Sequence, residues 1–158
     1  MRLSSREIMA RAIELGRREM RERGVSPFAA VIVRDGEIIG EGCNDTAVTF
    51  DPTAHGEVVA IRDATRRLGS ADLSGATLYT TCEPCSMCVA AMWWARIDKL
   101  VYAYSLQDCL ALGIDCAPLV AEVSKPVEAR ALPSEQLMAE EAHGVFTEWM
   151  ASGPAMPR

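Results

Sequence analysis

The chain has 158 residues, of which 49% are apolar and 24% charged, which predicts one globular domain. Its formal net charge of −6 argues against binding to a nucleic-acid backbone. No apolar run reaches the roughly 18 residues that a membrane span needs, and the charged N-terminus lacks the apolar segment of a secretory signal. We therefore expect a cytoplasmic protein, bound to neither nucleic acid nor membrane, whose six cysteines are thiols or metal ligands.

The first half of the chain predicts a helix, a hairpin and a second helix. The first helix spans about residues 5–23, ends at Gly24, and has an expected inner face of Met9, Ile13, Gly16 and Met20. The runs PFAAVIV and EIIGEG flank Asp35-Gly36, which is a hairpin turn signal. A loop rich in Asn, Asp and Thr follows. The second helix spans about residues 54–68, with an expected inner stripe of Ala54, Val58, Ile61, Thr65 and Leu68.

The second half predicts further strands alternating with helices. GATLYTT and KLVYAYS are expected strands around a helix from Pro84 to about Ala95, and a short helix follows over about 106–112. PLVAEV is the expected fifth strand. The stretch from Pro133 is expected to be helical in two pieces that break at Gly144, before a frayed tail SGPAMPR. Strands that alternate with helices after a hairpin predict an α/β fold with a mixed sheet covered on both faces.

Two short motifs carry the candidate chemistry. Cys85 and Cys88 have the C-x-x-C spacing at the start of a predicted helix, where the helix dipole favours thiolate over thiol. His55 begins the preceding helix, so the two helix starts could converge. One His and two Cys give three protein ligands for a tetrahedral zinc ion and leave the fourth position for water, as in catalytic sites.

Three other interpretations of the cysteines compete. Cys82 could be a fourth ligand, but it ends a strand, and an iron–sulfur run would need a further Cys where Met92 stands. The pair Cys85–Cys88 could instead be a redox dithiol, although that leaves His55 and Glu57 without a role. A structural zinc module without catalysis is the third possibility. Cys43, Cys109 and Cys116 lack partner spacing and are expected to be packed thiols, and His143 is expected at the surface.

Glu57 distinguishes a catalytic site from these alternatives. An ionised carboxylate on a core-facing helix is costly unless it has a task. Zinc lowers the pKa of water from ~16 toward ~7, and a neighbouring carboxylate can accept the proton and later deliver it to a ring nitrogen and a leaving amine. His55-Gly56-Glu57 followed by Pro84-Cys85-x-x-Cys88 matches the H-x-E and P-C-x-x-C signature of zinc deaminases, a pattern already described for that class.

With these motifs the sequence resembles the cytidine deaminase-like superfamily, and within it the small bacterial guanine deaminases. The likeness runs through SPFAAVIVRDGEIIGEGCND, DPTAHGEVVAIRDA, LYTTCEPCSMC, WWAR and KPVEARALP. It implies a three-layer α/β/α fold, one Zn2+ per chain held by His55, Cys85 and Cys88, and Glu57 as the catalytic acid–base. It also implies a nucleobase-like small-molecule substrate and a homodimer that exchanges C-terminal segments, here about residues 134–152 of a single domain spanning 1–158.

The resemblance further implies substrate contacts. Asn44 would hydrogen-bond the base, Phe28 would line the pocket, and Trp94 would pack on the ring. Asp115 would also contact the substrate, and the backbone near Gly56 and Cys85 would orient it. From the residues alone, core packing is preferred for Phe28 and Trp94, and a turn-forming role explains Asn44 equally well.

Three departures from the family pattern bear on the substrate. The family usually has Gly at the position of Ala29 and Ala at that of Gly56, and HGE resembles the fungal cytosine deaminases. Guanine deaminases show two acids where this chain has Asp115 followed by Cys116, and the tail lacks a pocket-closing aromatic residue. A lost hydrogen-bonding acid can cost discrimination of ~10⁴. We expect deamination of guanine, with cytosine, ammeline or a nucleoside as alternative substrates. Adenosine in tRNA is a further alternative, which the acidic C-terminal helix disfavours.

Overall fold

The computed structural model describes residues 3–154, which divide into two compact units at the boundary between Val120 and Ala121. The first unit contains four strands: β1 (Ala29–Arg34), β2 (Glu37–Cys43), β3 (Thr77–Cys82) and β4 (Lys99–Tyr104). They form one sheet in the order β2-β1-β3-β4. β1 pairs antiparallel with β2 and β3, whereas β3 and β4 are parallel. The α/β class and the mixed sheet are confirmed, with four strands in the described part of the chain instead of five.

The helices are α1 (Ser5–Arg23), α2 (Thr46–Thr49), α3 (Gly56–Leu68), α4 (Ser86–Trp94), α5 (Leu106–Ala111), α6 (Ala117–Val123) and α7 (Ala139–Ala151), with a 3-10 turn at Val127–Ala129. Four of the helices, α1, α3, α4 and α5, lie where they were predicted, whereas α2 lies in the expected loop and α7 begins later than the expected start at Pro133. α1 has the predicted bounds because Ser4 and Glu7 form a capping box at its start and Gly24 adopts the left-handed conformation at its end.

The sheet is covered on both faces. On one face, Val31 and Val33 of β1 pack with Ile8 and Ala12 of α1. On the other face, the alternate residues of β1 pack with α3 and α4 in a cluster that includes Ala30, Ile32, Ala60, Ala64 and Met92. This alternation follows from the two-residue period of a strand. The three layers bring the starts of α3 and α4 to the same face of the sheet.

The fifth strand is a correction. PLVAEV lies in α6, a helix, and the side chain of Asp115 accepts a hydrogen bond from the N–H of Ala117 at its start. Pro118 is tolerated in a first helical turn because the missing N–H has no helical partner there. The expected break at Gly144 is also wrong, since α7 continues through it. The tail from residue 155 lies outside the described residues.

Two predicted helix faces are also corrected. The buried residues of α1 are Ile8, Ala12 and Gly16, so the inner face is displaced from the one expected, and Ile13 and Met20 are exposed. The buried residues of α3 are small or acidic: Gly56, Glu57, Ala60 and Ala64. A Cβ on Gly40 or Gly42 of β2 would lie under 3 Å from the backbone of α3. Close helix–strand contact therefore selects small residues on both sides, not the large apolar ones.

The second unit contains the 3-10 turn and α7. None of its described residues is buried, and α7 exposes the apolar side chains of Val145, Phe146, Trp149 and Met150. No described helix combines the length and the hydrophobicity that crossing a membrane requires.

Candidate functional site

Three predicted ligands lie together at the starts of two helices. His55 precedes the first residue of α3, Cys85 precedes that of α4, and Cys88 lies in the first turn of α4. The Nδ1 atom of His55 is 3.6 Å from the Sγ of Cys85 and 3.6 Å from the Sγ of Cys88, and the two sulfurs are 3.7 Å apart. Among the described residues, this is the one His, Cys, Asp and Glu group compact enough to hold a metal ion.

These separations fit a tetrahedral zinc ion. With Zn–S bonds of ~2.3 Å and Zn–N bonds of ~2.0–2.1 Å, tetrahedral angles place two sulfurs about 3.8 Å apart and a sulfur about 3.6 Å from a nitrogen. The three observed distances, 3.6, 3.6 and 3.7 Å, agree with these values. Cys82, the alternative fourth ligand, is not in the group; its Sγ lies 2.9 Å from that of Cys109. The residues therefore offer three ligands and leave one tetrahedral position open.

The electrostatics of the two thiols differ. The hydrogen bond between the two sulfurs lowers the pKa of Cys85 to about 5, and burial opposes this shift. The same contact with Cys85, together with burial and the nearby Glu57 carboxylate, raises the pKa of Cys88. Cys85 therefore ionises more readily than Cys88. Both sulfurs must be thiolates to bind a metal ion, and the positive charge of the ion would stabilise that form.

Glu57 lies beside this triangle and is buried, with 6% of its surface exposed. Its Oε2 is 3.4 Å from the Sγ of Cys88, and its Oε1 is 3.3 Å from the hydroxyl oxygen of Thr80. Burial raises the pKa of the Glu57 carboxyl above its usual range, and hydrogen bonds from its own backbone N–H and from Cys88 oppose the shift. A carboxyl group whose ionised form is destabilised is suited to accepting a proton.

A cavity of 160 Å³ opens beside the ligands. Phe28, Asn44, His55, Glu57 and Cys85 are among its lining residues. The backbone N–H of Asn44 donates to the carbonyl of Phe28 at 2.8 Å. The side-chain oxygen of Asn44 accepts from the N–H and the hydroxyl of Thr46, at 3.3 and 3.0 Å. These bonds fix the Asn44 side chain so that its NH₂ group is the part left to donate to a ligand.

Three predicted substrate contacts, Gly56, Asp115 and Trp94, lie outside the cavity lining. Gly56 is buried at the start of α3. The side chain of Asp115 accepts from the N–H of Ala117, and Cys116, its neighbour, lines the cavity instead. Trp94 lies at the end of α4 with 58% of its surface exposed. The placement of Asp115 follows from its capping role at α6. Trp94 is exposed because the face of α4 that is buried carries Cys88 and Met92 and does not include position 94.

Glu83 is a cavity residue that the sequence did not single out. It lines the cavity and accepts a hydrogen bond from the N–H of Leu106 at 2.8 Å. Its place beside Pro84 and Cys85 was a signal that could have found it. Cys82 and Cys109 also line the cavity, and both are buried, Cys109 as the packed thiol that was expected. Thr80 contacts Glu57 from β3 and had no signal in the sequence.

Gly56 lies close to the backbone of β1 and the residue before it, which is where the chain departs from the family pattern. A Cβ on Gly56 would lie 2.3 Å from the carbonyl oxygen of Phe28 and 3.1 Å from the Cα of Ala29. The methyl group of Ala29 lies on the side of α1 instead, because a Cβ on Gly16 would be 3.4 Å from it. The backbone at Ala29 therefore separates the two positions and could couple them.

Comparisons with known proteins agree with this geometry. A family model for the cytidine and deoxycytidylate deaminase zinc-binding region matches residues 3–104. The guanine deaminase of Bacillus subtilis (strain 168) is 45% identical over 123 residues, 78% of this chain and 79% of that protein. The X-ray structure of guanine deaminase from Bacillus subtilis matches with a TM-score of 0.89 and 38% identity, covering 99% of this chain and 98% of that one. A tRNA-specific adenosine deaminase of Aquifex aeolicus (strain VF5) is 45% identical over 82 residues, 52% of this chain and 54% of that protein.

Proposed function

The chain belongs to the family defined by the cytidine and deoxycytidylate deaminase zinc-binding region, and from this membership we propose that it hydrolyses guanine to xanthine and ammonia with one bound zinc ion. It is a deaminase acting on C–N bonds. The observation that carries the proposal is the triangle of His55, Cys85 and Cys88 beside the buried carboxylate of Glu57. That arrangement occurs in a chain 45% identical to a guanine deaminase over 78% of its length.

The proposed chemistry assigns the proton transfers to Glu57. A zinc ion held by His55, Cys85 and Cys88 supplies a Lewis acid that lowers the pKa of water. The Glu57 carboxylate accepts the proton of the attacking water and delivers it to a ring nitrogen of the base. It then accepts the second proton of the same oxygen, now a hydroxyl group on the attacked carbon, and delivers it to the amino group, which leaves as ammonia while the carbon becomes a carbonyl. Positioned acid–base catalysis of this kind contributes ~10²–10⁴-fold to the rate.

Two of the proposed substrate contacts come from the cavity wall: Asn44 donates its NH₂ group to the base, and Phe28 packs against the ring. Cys116, instead of an acid, lines the cavity at the position to which the family resemblance assigns recognition of guanine. Contacts from Gly56, Asp115 and Trp94 stay predictions, since all three lie outside the cavity lining.

Ammonia release from a panel of bases tests the proposal. Zinc-loaded protein should release ammonia from guanine with a higher kcat/KM than from cytosine, isocytosine, adenine, ammeline, pterins or their nucleosides. A higher value for another free base would replace guanine as the substrate and keep the chemistry. Absence of turnover with every base would refute the proposal and favour a structural zinc or redox-dithiol module.

The tRNA-specific relatives define the second candidate, which the charge distribution disfavours. Three arginines of α1 contact acidic residues: Arg17 with Glu14, and Arg18 and Arg23 with Glu19. α7 begins with Glu140 and Glu141. Tight binding of tRNA to an anionic protein would need free cations on its surface. Salt-sensitive tRNA binding together with adenosine deamination would establish this second function instead.

We also propose a cytoplasmic homodimer with the C-terminal segment, about residues 134–152, contacting the partner. The support is the exposed apolar face of α7, which includes Phe146 (62% exposed) and Trp149 (41% exposed), since such surface usually marks an interface. An apolar groove in the first unit contains Ile13, Met20 and Leu112. Light scattering should give twice the mass of the 17.2 kDa chain. A monomer at micromolar concentration would contradict this proposal.

A further inference from the structure

Thr80 of β3 contacts the carboxylate to which catalysis is assigned. Glu57 and Thr80 are the two buried polar or charged residues in the described part of the first unit, and Thr80 is 1% exposed. Its Oγ1 lies 3.3 Å from the Oε1 of Glu57 and 3.0 Å from the backbone oxygen of Cys82. We propose that Thr80 is a positioning residue for Glu57: its hydroxyl keeps the carboxyl group in the orientation that proton transfer requires. The proposal rests on the proposed deaminase function.

The two oxygens of Glu57 face different groups. Oε2 lies 3.4 Å from the Sγ of Cys88, on the side of the ligand triangle, so it is the oxygen placed to exchange a proton. Oε1 faces Thr80 on the opposite side. The terminal torsion of a Glu side chain has broad minima, so the carboxyl group rotates easily unless a hydrogen bond fixes it. The bond to Thr80 fixes Oε1 and thereby directs Oε2 toward the ligands.

This hydrogen bond is compatible with both proton states of Glu57. The Thr80 hydroxyl has one proton and two acceptors in reach, Oε1 of Glu57 at 3.3 Å and the backbone oxygen of Cys82 at 3.0 Å. When the carboxyl group is ionised, Oε1 is the stronger acceptor and takes the hydroxyl proton. When Oε2 carries the transferred proton, Oε1 is a carbonyl oxygen and shares the hydroxyl proton with the backbone oxygen. The heavy atoms need not move between the two states, and preorganised groups of this kind need no rearrangement during the reaction.

Thr80 also differs from the other side-chain partner of Glu57. Cys88 contacts Oε2 through a thiol, but a cysteine that binds metal is a thiolate and has no S–H to donate. Thr80 is not a candidate ligand and keeps its hydroxyl proton, which lies within reach of Oε1 of Glu57 and of the backbone oxygen of Cys82. Among the described side chains that contact Glu57, Thr80 is therefore the donor that remains when the site holds its cation.

Comparing four side chains at position 80 separates the effect of the hydroxyl group on catalysis from the effect of side-chain volume. Thr and Val have nearly the same shape and differ by the hydroxyl, and Ser and Ala have nearly the same size and differ by the hydroxyl. We expect Thr80→Val and Thr80→Ala to lower kcat by roughly 10- to 100-fold, the effect of one lost hydrogen bond to a charged group. Thr80→Ser should stay within about 3-fold of the wild type.

Measurements other than turnover distinguish positioning from a structural role. KM should change less than about 3-fold in all variants, because Thr80 does not contact substrate. Each variant should retain one zinc ion per chain. The melting temperature should follow side-chain volume, with Thr and Val above Ser and Ala, whereas kcat should follow the hydroxyl, with Thr and Ser above Val and Ala.

Two results would overturn the inference. One is a Val variant with the kcat of the wild type. The other is a kcat that follows volume, so that Ser and Ala are equally impaired. Wild-type protein that releases ammonia from no base would overturn the proposed function itself, whereas an active wild type with an unimpaired Val variant would overturn the role of Thr80 alone.

Discussion

Gly56→Ala should destabilise the protein and impair catalysis, although alanine usually stabilises a helix relative to glycine. The new methyl carbon would lie 2.3 Å from the carbonyl oxygen of Phe28, 2.9 Å from its carbonyl carbon and 3.1 Å from the Cα of Ala29. Carbon–oxygen contacts normally begin near ~3.3 Å, so the backbone must move by about 1 Å. All three obstructing atoms are backbone, so no side-chain rotation relieves the overlap.

The magnitude follows from two opposing effects. Overpacking a close contact costs about 1–3 kcal/mol, whereas replacing glycine in a helix returns about 0.5–1 kcal/mol. The midpoints of the two ranges give a net loss of unfolding free energy of about 1 kcal/mol, which for a domain of this size lowers the Tm by roughly 2–4 °C. Gly56 lies between His55 and Glu57, so a shift of about 1 Å should also lower kcat by up to ~10²-fold.

A second substitution tests whether Ala29 and Gly56 act together. Ala29 belongs to the cluster with Val25 and Cys43, and a Cβ on Gly16 of α1 would lie 3.4 Å from its methyl group. Ala29→Gly removes that methyl group and allows β1 to move toward α1, away from position 56. The double variant should therefore be more stable, by at least about 1 kcal/mol, than the sum of the two single changes predicts.

Thermal unfolding of the four zinc-loaded proteins and guanine turnover measure this cycle. The reasoning is refuted if Gly56→Ala alone has the Tm and kcat of the wild type. It is also refuted if the two changes are additive within about 0.3 kcal/mol, which is the behaviour of independent sites.

Three further predictions concern the catalytic acid–base Glu57, the ligand Cys85 and removal of the metal. Glu57→Gln should retain one zinc ion per chain and lose kcat by ~10²–10⁴-fold, because the amide cannot accept the proton; activity near that of the wild type would exclude Glu57 as the acid–base. Cys85→Ser should lose zinc and activity together, since a hydroxyl does not replace a thiolate ligand; a fully zinc-loaded Ser variant would contradict the ligand assignment. Chelation should lower the Tm, because zinc at 100 times its Kd contributes about 2.7 kcal/mol, and re-addition should restore Tm and turnover; an unchanged Tm in verified metal-free protein would show that the folded state does not bind the ion.

The ligand triangle could be predicted from the sequence because its information is local. His55, Cys85 and Cys88 have side chains that few other roles require together, and each lies at a helix start that capping and spacing signals reveal. The contact of Glu57 with Thr80 had no such signal. A threonine in a strand is ordinary, and only the packing of β3 beneath α3 shows which side chain its hydroxyl meets.

The incorrect helix faces have a different cause. Large apolar residues such as Ile13, Val58 and Ile61 suggested the inner faces of the helices. In the structure, the buried residues are instead the small ones that allow a helix to lie close to a strand. Gly40 and Gly42 admit α3 so near to β2 that alanines occupy the contact. Hydrophobic periodicity ranks residues by size, so it does not identify a helix that packs through small residues.

The missing fifth strand reflects the weakness of short apolar runs as evidence. PLVAEV is long enough for either a strand or a helix, and periodicity does not separate the two. The hydrogen bond from the N–H of Ala117 to the Asp115 side chain stabilises the start of a helix here. The same bond holds Asp115 at the start of α6 and leaves Cys116 lining the cavity.

The central claim is an open, three-ligand zinc site beside Glu57. Zinc K-edge X-ray absorption of the purified protein tests it most directly, because sulfur at ~2.3 Å and nitrogen or oxygen at ~2.0–2.1 Å scatter distinguishably. We predict two sulfurs and two light atoms per zinc, the latter being the imidazole of His55 and one exchangeable solvent atom. Three or four sulfurs per zinc, which would require Cys82 or another thiol to close the site, would contradict the account.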